Sequence, residues 1–128
     1  MGTSYPSENN DSFKDRRKDP RVLSEIPIKI FQEDGDILTE TKNISRSGAY
    51  CRVNRYMSPM TKLRINLLLP VKQTGKIKTS KISCEGIVVR TEPIDGDTSY
   101  NAAIFFNNIS QKDSDAIAQY VNNYLSER

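Results

Sequence analysis

Two short segments of this chain carry residue types suited to gripping a small anion. The first is Arg16-Arg17-Lys18-Asp19-Pro20-Arg21. Arginine offers paired, planar N–H donors that match phosphate oxygens and the O6/N7 edge of guanine, a geometry that the point charge of lysine does not imitate. Pro20 stiffens the run and biases Asp19 towards extended backbone. The second is Asn43-Ile44-Ser45-Arg46-Ser47-Gly48. Asn and Ser hold short polar groups close to the chain, and Gly permits positive φ or a close backbone approach. Taken singly, the first segment reads as a solvated basic linker and the second as a hairpin turn.

The elements around these segments follow from hydrophobic periodicity. A chain of 128 residues is the size of one ordinary domain. Residues 1–12 are polar and almost free of apolar side chains, which predicts a mobile tail ahead of a single domain over 13–128. Ile26, Ile28 and Ile30 alternate with Pro27 and Lys29, the period-two signature of a half-buried strand. Pro27 cannot donate to a ladder and so predicts an edge or a bulge there. Glu33-Asp34-Gly35-Asp36 reads as a turn, residues 37–44 as a second strand and 49–53 as a third. Leu63, Ile65, Leu67 and Leu69 mark a fourth strand ended by Pro70, and 71–79 reads as a basic connection through Gly75. Residues 81–91 and 100–106 supply a fifth and sixth strand, separated by a turn-rich loop. Ser110 is placed to cap a helix whose Ile117, Tyr120, Val121, Tyr124 and Leu125 form one apolar stripe. The expected fold is α+β and mainly β: a six-stranded antiparallel β-barrel, which has no exposed edges, with a C-terminal α-helix packed on it.

Composition narrows the function. Histidine is absent, which removes the commonest general base and the commonest zinc ligand. No pair of carboxylates or lysines stands out as a substitute, so catalysis and a metal are not expected. Cys51 and Cys84 are too few for a disulfide framework and too far apart for a metal knuckle, and both fall in strand-like sequence as small buried side chains. Asp95-Gly96-Asp97 lacks the spacing of a calcium loop and reads as a turn. The N-terminus has no basic and apolar leader, Pro6 occupies the position where a myristoylation motif wants Ser or Thr, and no apolar run approaches the length of a membrane span. A cytoplasmic protein without membrane insertion is expected, and the sequon at Asn43 then carries no weight. The net charge is only +3, and the crowding of Lys14, Arg16, Arg17, Lys18 and Arg21 suits a small anionic ligand better than a long polyanion.

Arg17-x-x-x-Arg21 followed by Asn43-x-Ser45-x-x-Gly48, at the start of a small β-barrel, resembles the PilZ family. The resemblance runs from about Arg16 to Leu125 and takes in the Gly86-Ile87-Val88-Val89-Arg90 and Ala103-Ile104-Phe105-Phe106 strands and the closing helix. It implies a receptor for the bacterial second messenger cyclic di-GMP, with no cofactor besides that ligand. By resemblance, Arg17 and Arg21 grip phosphate and the guanine Hoogsteen edge. Asn43 and Ser45 complete a polar rim, and Gly48 lets the turn approach the ligand. Many family members carry Asp where this chain has Asn43, and an amide accepts through one oxygen only. Family members with arginine at the position of Arg16 take up a stacked dimer of the nucleotide, which implies two nucleotides per chain. Arg90 is placed to stack on a base or to stand exposed at the surface.

The mechanism expected on this reading is that ligand orders the arginine segment against the barrel and that the changed surface signals to a protein partner. Two other readings are a protein-interaction module of the same fold that binds no nucleotide, and a β-barrel nucleic-acid binder using Lys72, Lys76, Lys78 and Lys81. The second would normally interleave aromatics with its lysines, and none lies in that stretch. An enzyme acting on the nucleotide is a third.

Overall fold

A computed structural model describes residues 20–126. The predicted tail over 1–12, and Arg16 and Arg17 with it, lie outside the described residues. Six strands follow in chain order: β1 (Pro27–Phe31), β2 (Ile37–Ser45), β3 (Gly48–Val53), β4 (Lys62–Gln73), β5 (Lys76–Pro93) and β6 (Tyr100–Asn108). A helix, α1 (Gln111–Ser126), ends the described chain. All pairings are antiparallel, and the strands close in the order β1-β2-β3-β6-β5-β4. The expected mainly-β fold of six strands and one C-terminal helix is therefore what forms.

Alternation fills the inside of this ring. Ile28 and Ile30 of β1, Ile65, Leu67 and Leu69 of β4, and Ile82 and Val88 of β5 are all essentially inaccessible to water. Burying each such side chain contributes about 1.5–3 kcal/mol relative to leaving it exposed. Helix α1 begins where Ser110 Oγ accepts the amide of Asp113 at 3.1 Å, the expected cap. Its stripe lies on the barrel: Ile117 and Val121 are fully buried, and Tyr120 and Leu125 pack against the core. Burial raises both cysteine thiols, Cys51 to about 12 and Cys84 to about 11, so each is a neutral apolar filler at neutral pH.

Two sequence expectations are corrected. Pro27 lies on no edge, since β1 sits between β2 and β4 in a closed ring. It is the first residue of β1 and pairs only towards β2, a position where its missing N–H leaves no gap in the ladder. Nor does Pro70 end β4. The strand runs on to Gln73, and the supposed basic connection is instead a hairpin in which Lys72 pairs with Ile77 and Pro70 with Thr79. Thr74 and Gly75, at φ of 44° and 78°, make the tight turn. Two positive φ values in succession match the right-handed twist of the flanking strands.

The chain just before β1 is tied down from two sides. Val22 forms an isolated bridge with Ile44, exchanging backbone hydrogen bonds of 3.0 Å in both directions. Thr41, 1% exposed, accepts the Ile26 amide at 2.9 Å and donates to the Ser24 carbonyl at 2.5 Å. From the helix, Tyr124 donates to the Leu23 carbonyl at 2.7 Å, and the Tyr120 hydroxyl meets that of Ser24. The segment that delivers Arg21 is thereby moored to β2 and α1. Replacing Thr41 by Val keeps the shape and removes both hydrogen bonds, leaving a backbone donor and acceptor unpaired at about 1–3 kcal/mol each. Urea unfolding of Thr41→Val should show a loss of about 2 kcal/mol or more, and a loss below about 0.5 kcal/mol would contradict the clasp.

Candidate ligand-binding site

The outer face of β2, β3, β6 and β5 carries a single row of residues from four neighbouring strands. Asn43 pairs with Tyr50, Tyr50 with Ala103, and Ala103 with Arg90. Adjacent strands lie about 4.8 Å apart, so the row spans roughly 14 Å. Ala103, the smallest of the four, leaves a trough between Tyr50 and Arg90. The next positions along the strands pair Gly48 with Phe105 and Phe105 with Ile87. The result is a groove of about 540 Å³ lined by Arg21, Asn43, Gly48, Tyr50, Arg90 and Phe105, among others.

Both polar ends of this row face outwards because each strand slips by one residue. In β2 the inward positions are Ile37 and Thr41, and simple alternation would turn Asn43 into the core. A register shift between Thr41 and Asn43 leaves Lys42 and Asn43 both outside and brings Ile44 in. In β5 the inward positions are Ile82, Cys84, Gly86 and Val88, so alternation would bury Arg90. A second shift, between Val88 and Arg90, leaves Val89 and Arg90 both exposed. Bulges of this kind re-aim a side chain at the cost of one ladder position.

The polar groups of the groove are held by named partners. Arg21 donates to Asn43 Oδ1 at 2.7 Å, so the second arginine of the first segment and the asparagine of the second are in direct contact. Arg90 Nε lies 3.5 Å from Glu92 Oε2. Tyr50 donates to Glu92 Oε1 at 3.0 Å, and burial followed by this contact pushes its hydroxyl above its ordinary pKa. Tyr50 is therefore a neutral phenol at neutral pH, with a ring in the groove. Phe105, 48% exposed, and Val89, 54% exposed, add apolar area suited to a flat heteroaromatic base.

Of the residues singled out in sequence, Arg21, Asn43, Gly48 and Arg90 line this groove together. Ser45 does not. It is fully buried, its Oγ accepts the Ser47 amide at 3.2 Å and it lies 3.1 Å from Ser47 Oγ, so it fastens the turn. Gly48 lies where two strands come close. Its φ is not positive, and it permits a close approach to β6: an added Cβ would lie 2.2 Å from the Ile104 carbonyl oxygen. The Phe106 amide donates to the Ser47 carbonyl at 2.9 Å, which presses the turn onto the same strand. Arg46, between these serines, reaches the helix, with Nε donating to Ser114 Oγ at 3.2 Å and a guanidinium nitrogen 3.6 Å from Asp115.

Tyr50, Val89, Ala103 and Phe105 were not found by sequence reasoning. One signal was available: adjacent Phe105 and Phe106 on a strand must point to opposite faces, so one of the two had to stand outside.

Residues 15–123 match the PilZ domain family. The chain belongs to that family. Comparison with curated proteins returns no match. Among solved structures, the PilZ chain resembles the motility inhibitor MotI/DgrA of Bacillus subtilis, with a TM-score of 0.75 and 23% identity over 88% of this chain and 53% of that one. It thus spans about half the length of that protein. It also resembles the PilZ domain of YcgR from Escherichia coli, whose structure is described as containing c-di-GMP, with a TM-score of 0.61 and 13% identity over 88% of this chain and 92% of that one. At these identities the likeness is one of fold.

Gly48→Ala tests the packing under the groove. The obstructing atom is backbone and cannot swing away, so the β3–β6 contact must open, at about 1–3 kcal/mol. A lower urea midpoint with an unchanged slope is expected, and an unchanged midpoint would show that the strands have room to spare.

Proposed function

We propose that this PilZ protein is a receptor for cyclic di-GMP that binds the nucleotide in the groove over β2, β3, β6 and β5. The observation that carries this reading is the contact between Arg21 and Asn43 at the end of a row that runs through Tyr50 and Ala103 to Arg90. It joins both segments of the family's pattern in one trough with an apolar floor and a guanidinium at either end. Membership in the family and the fold shared with a PilZ domain described with c-di-GMP support the same ligand.

The roles follow from chemistry. Arg17 and Arg21 offer charge-assisted forks to phosphate oxygens or the guanine Hoogsteen edge. Asn43 orients Arg21 and accepts from the ligand through the same amide oxygen. Tyr50, Phe105 and the plane of Arg90 supply faces for the bases. Ligand bridges the segment of Arg16, Arg17 and Arg21 to the sheet and orders it there. Arg46, which ties the β2–β3 turn to the start of α1, gives the bound state a route to the helix and from there to a protein partner. The protein binds its nucleotide without turning it over and works in the cytoplasm. Arg16 provides for a second, stacked nucleotide, giving two per chain.

Calorimetric titration of cyclic di-GMP tests this directly. The unmutated protein should bind two equivalents, and Arg16→Ala should reduce this to one. Arg21→Ala should weaken binding roughly ten- to a hundredfold with the fold intact by circular dichroism, the loss of about 1–3 kcal/mol expected of one arginine fork. Absence of binding by the unmutated protein would leave an interaction module without nucleotide, and one equivalent would remove the role of Arg16.

A further inference from the structure

We propose that the hairpin over residues 68–81 is a docking element for anionic phospholipid surfaces. Strand β1 pairs with β4 only as far as Leu67, and β6 pairs with β5 only from Glu85. Beyond those points β4 and β5 pair only with each other, as a slender two-stranded ribbon. Residues 68–81 contain Lys72, Lys76, Lys78 and Lys81, all exposed, and no Asp or Glu.

The register sorts the ribbon's faces. Leu67 and Leu69 point into the barrel, so Leu68, Pro70 and Lys72 point out, and with them their partners Lys81, Thr79 and Ile77. That outer face sets Leu68, 44% exposed, beside Lys81 and Ile77, 70% exposed, beside Lys72. Lys76 and Lys78, on either side of Ile77 along the chain, point to the opposite face. Beside the ribbon, a groove of about 390 Å³ runs against α1, lined by Val71, Tyr120 and Tyr124 among others and by no carboxylate.

An outer face that sets exposed apolar side chains beside ammonium groups fits a fluid, negatively charged interface. The lysines lie on lipid phosphates, each contributing about 1 kcal/mol near such a surface, and Ile77 enters the headgroup layer. No membrane-spanning segment is needed, and no described helix is long and apolar enough to be one. A nucleic acid fits less well: residues 68–81 hold neither arginine nor an aromatic to stack on bases, and Ile77 has no partner on a sugar-phosphate chain. The ribbon end is also too narrow to bury the roughly 800 Å² per partner of a stable protein interface. Lys78 and Arg90 are twelve positions apart on β5, about 40 Å of extended strand, so the nucleotide groove stays open when the ribbon is docked.

The chain has no tryptophan, so Ile77→Trp creates a single fluorophore at the tip. With phosphatidylcholine vesicles containing about one-third phosphatidylglycerol, the full chain should co-sediment at low salt, and the Ile77→Trp emission should shift to the blue. Vesicles of phosphatidylcholine alone should give neither effect. Lys72→Gln with Lys81→Gln, both on the outer face, should weaken binding about thirtyfold, the equivalent of two lysines at about 1 kcal/mol each. Failure to co-sediment with anionic vesicles would overturn the proposal and leave the lysines as guards of the ribbon's open edges. So would binding that survives the double lysine substitution, co-sedimentation without a blue shift, or capture of a single-stranded oligonucleotide in preference to vesicles.

Discussion

Two one-residue slips in strand phase decide what this barrel displays. The strands of a closed ring alternate strictly between core and solvent, so a residue's face follows from its count along the strand. Without the shift after Thr41, Asn43 would point into the core. Without the shift after Val88, Arg90 would do the same. Both would then be polar groups buried without water, which costs several kcal/mol for the charged one. The bulges turn them outwards at the two ends of one row. Gly48 holds the floor between those ends, since β3 lies too close to the Ile104 carbonyl for any side chain there.

The fold was legible because its signals are periodic. Ile26, Ile28 and Ile30, or Leu63 to Leu69 at every second position, can bury one face only as strands, and Ser110 caps the helix that its neighbours predict. The ribbon was misread for a local reason. Pro70 stops a strand only where its N–H is needed, and an antiparallel pair leaves alternate amides free to point away from the partner. Thr74-Gly75 is a two-residue hairpin turn whose left-handed pair is not spelled by the usual Asn-Gly.

The candidate site was legible as two segments and illegible as a groove. Arg21 and Asn43 do meet. The walls escaped because Tyr50, Ala103 and Phe105 become neighbours only through the pairing of β3 with β6. Bulges leave no mark in composition, so the outward turn of Arg90 could not be told from an ordinary exposed arginine. Ser45 shows the converse: a motif residue can hold its place for the shape of the turn that carries the others.

The chain that follows Arg21 is moored at two places. Behind Arg21, the Val22–Ile44 bridge and the Thr41 clasp fix the chain to β2, and Tyr120 and Tyr124 fix it to α1. In the proposed reading, the nucleotide bridges Arg16 and Arg17 to the sheet. Amide hydrogen exchange with and without cyclic di-GMP separates that bridge from a ligand bound elsewhere. Slower exchange over residues 15–22 on saturation is the expected result, and equal protection of that segment in both states would contradict it.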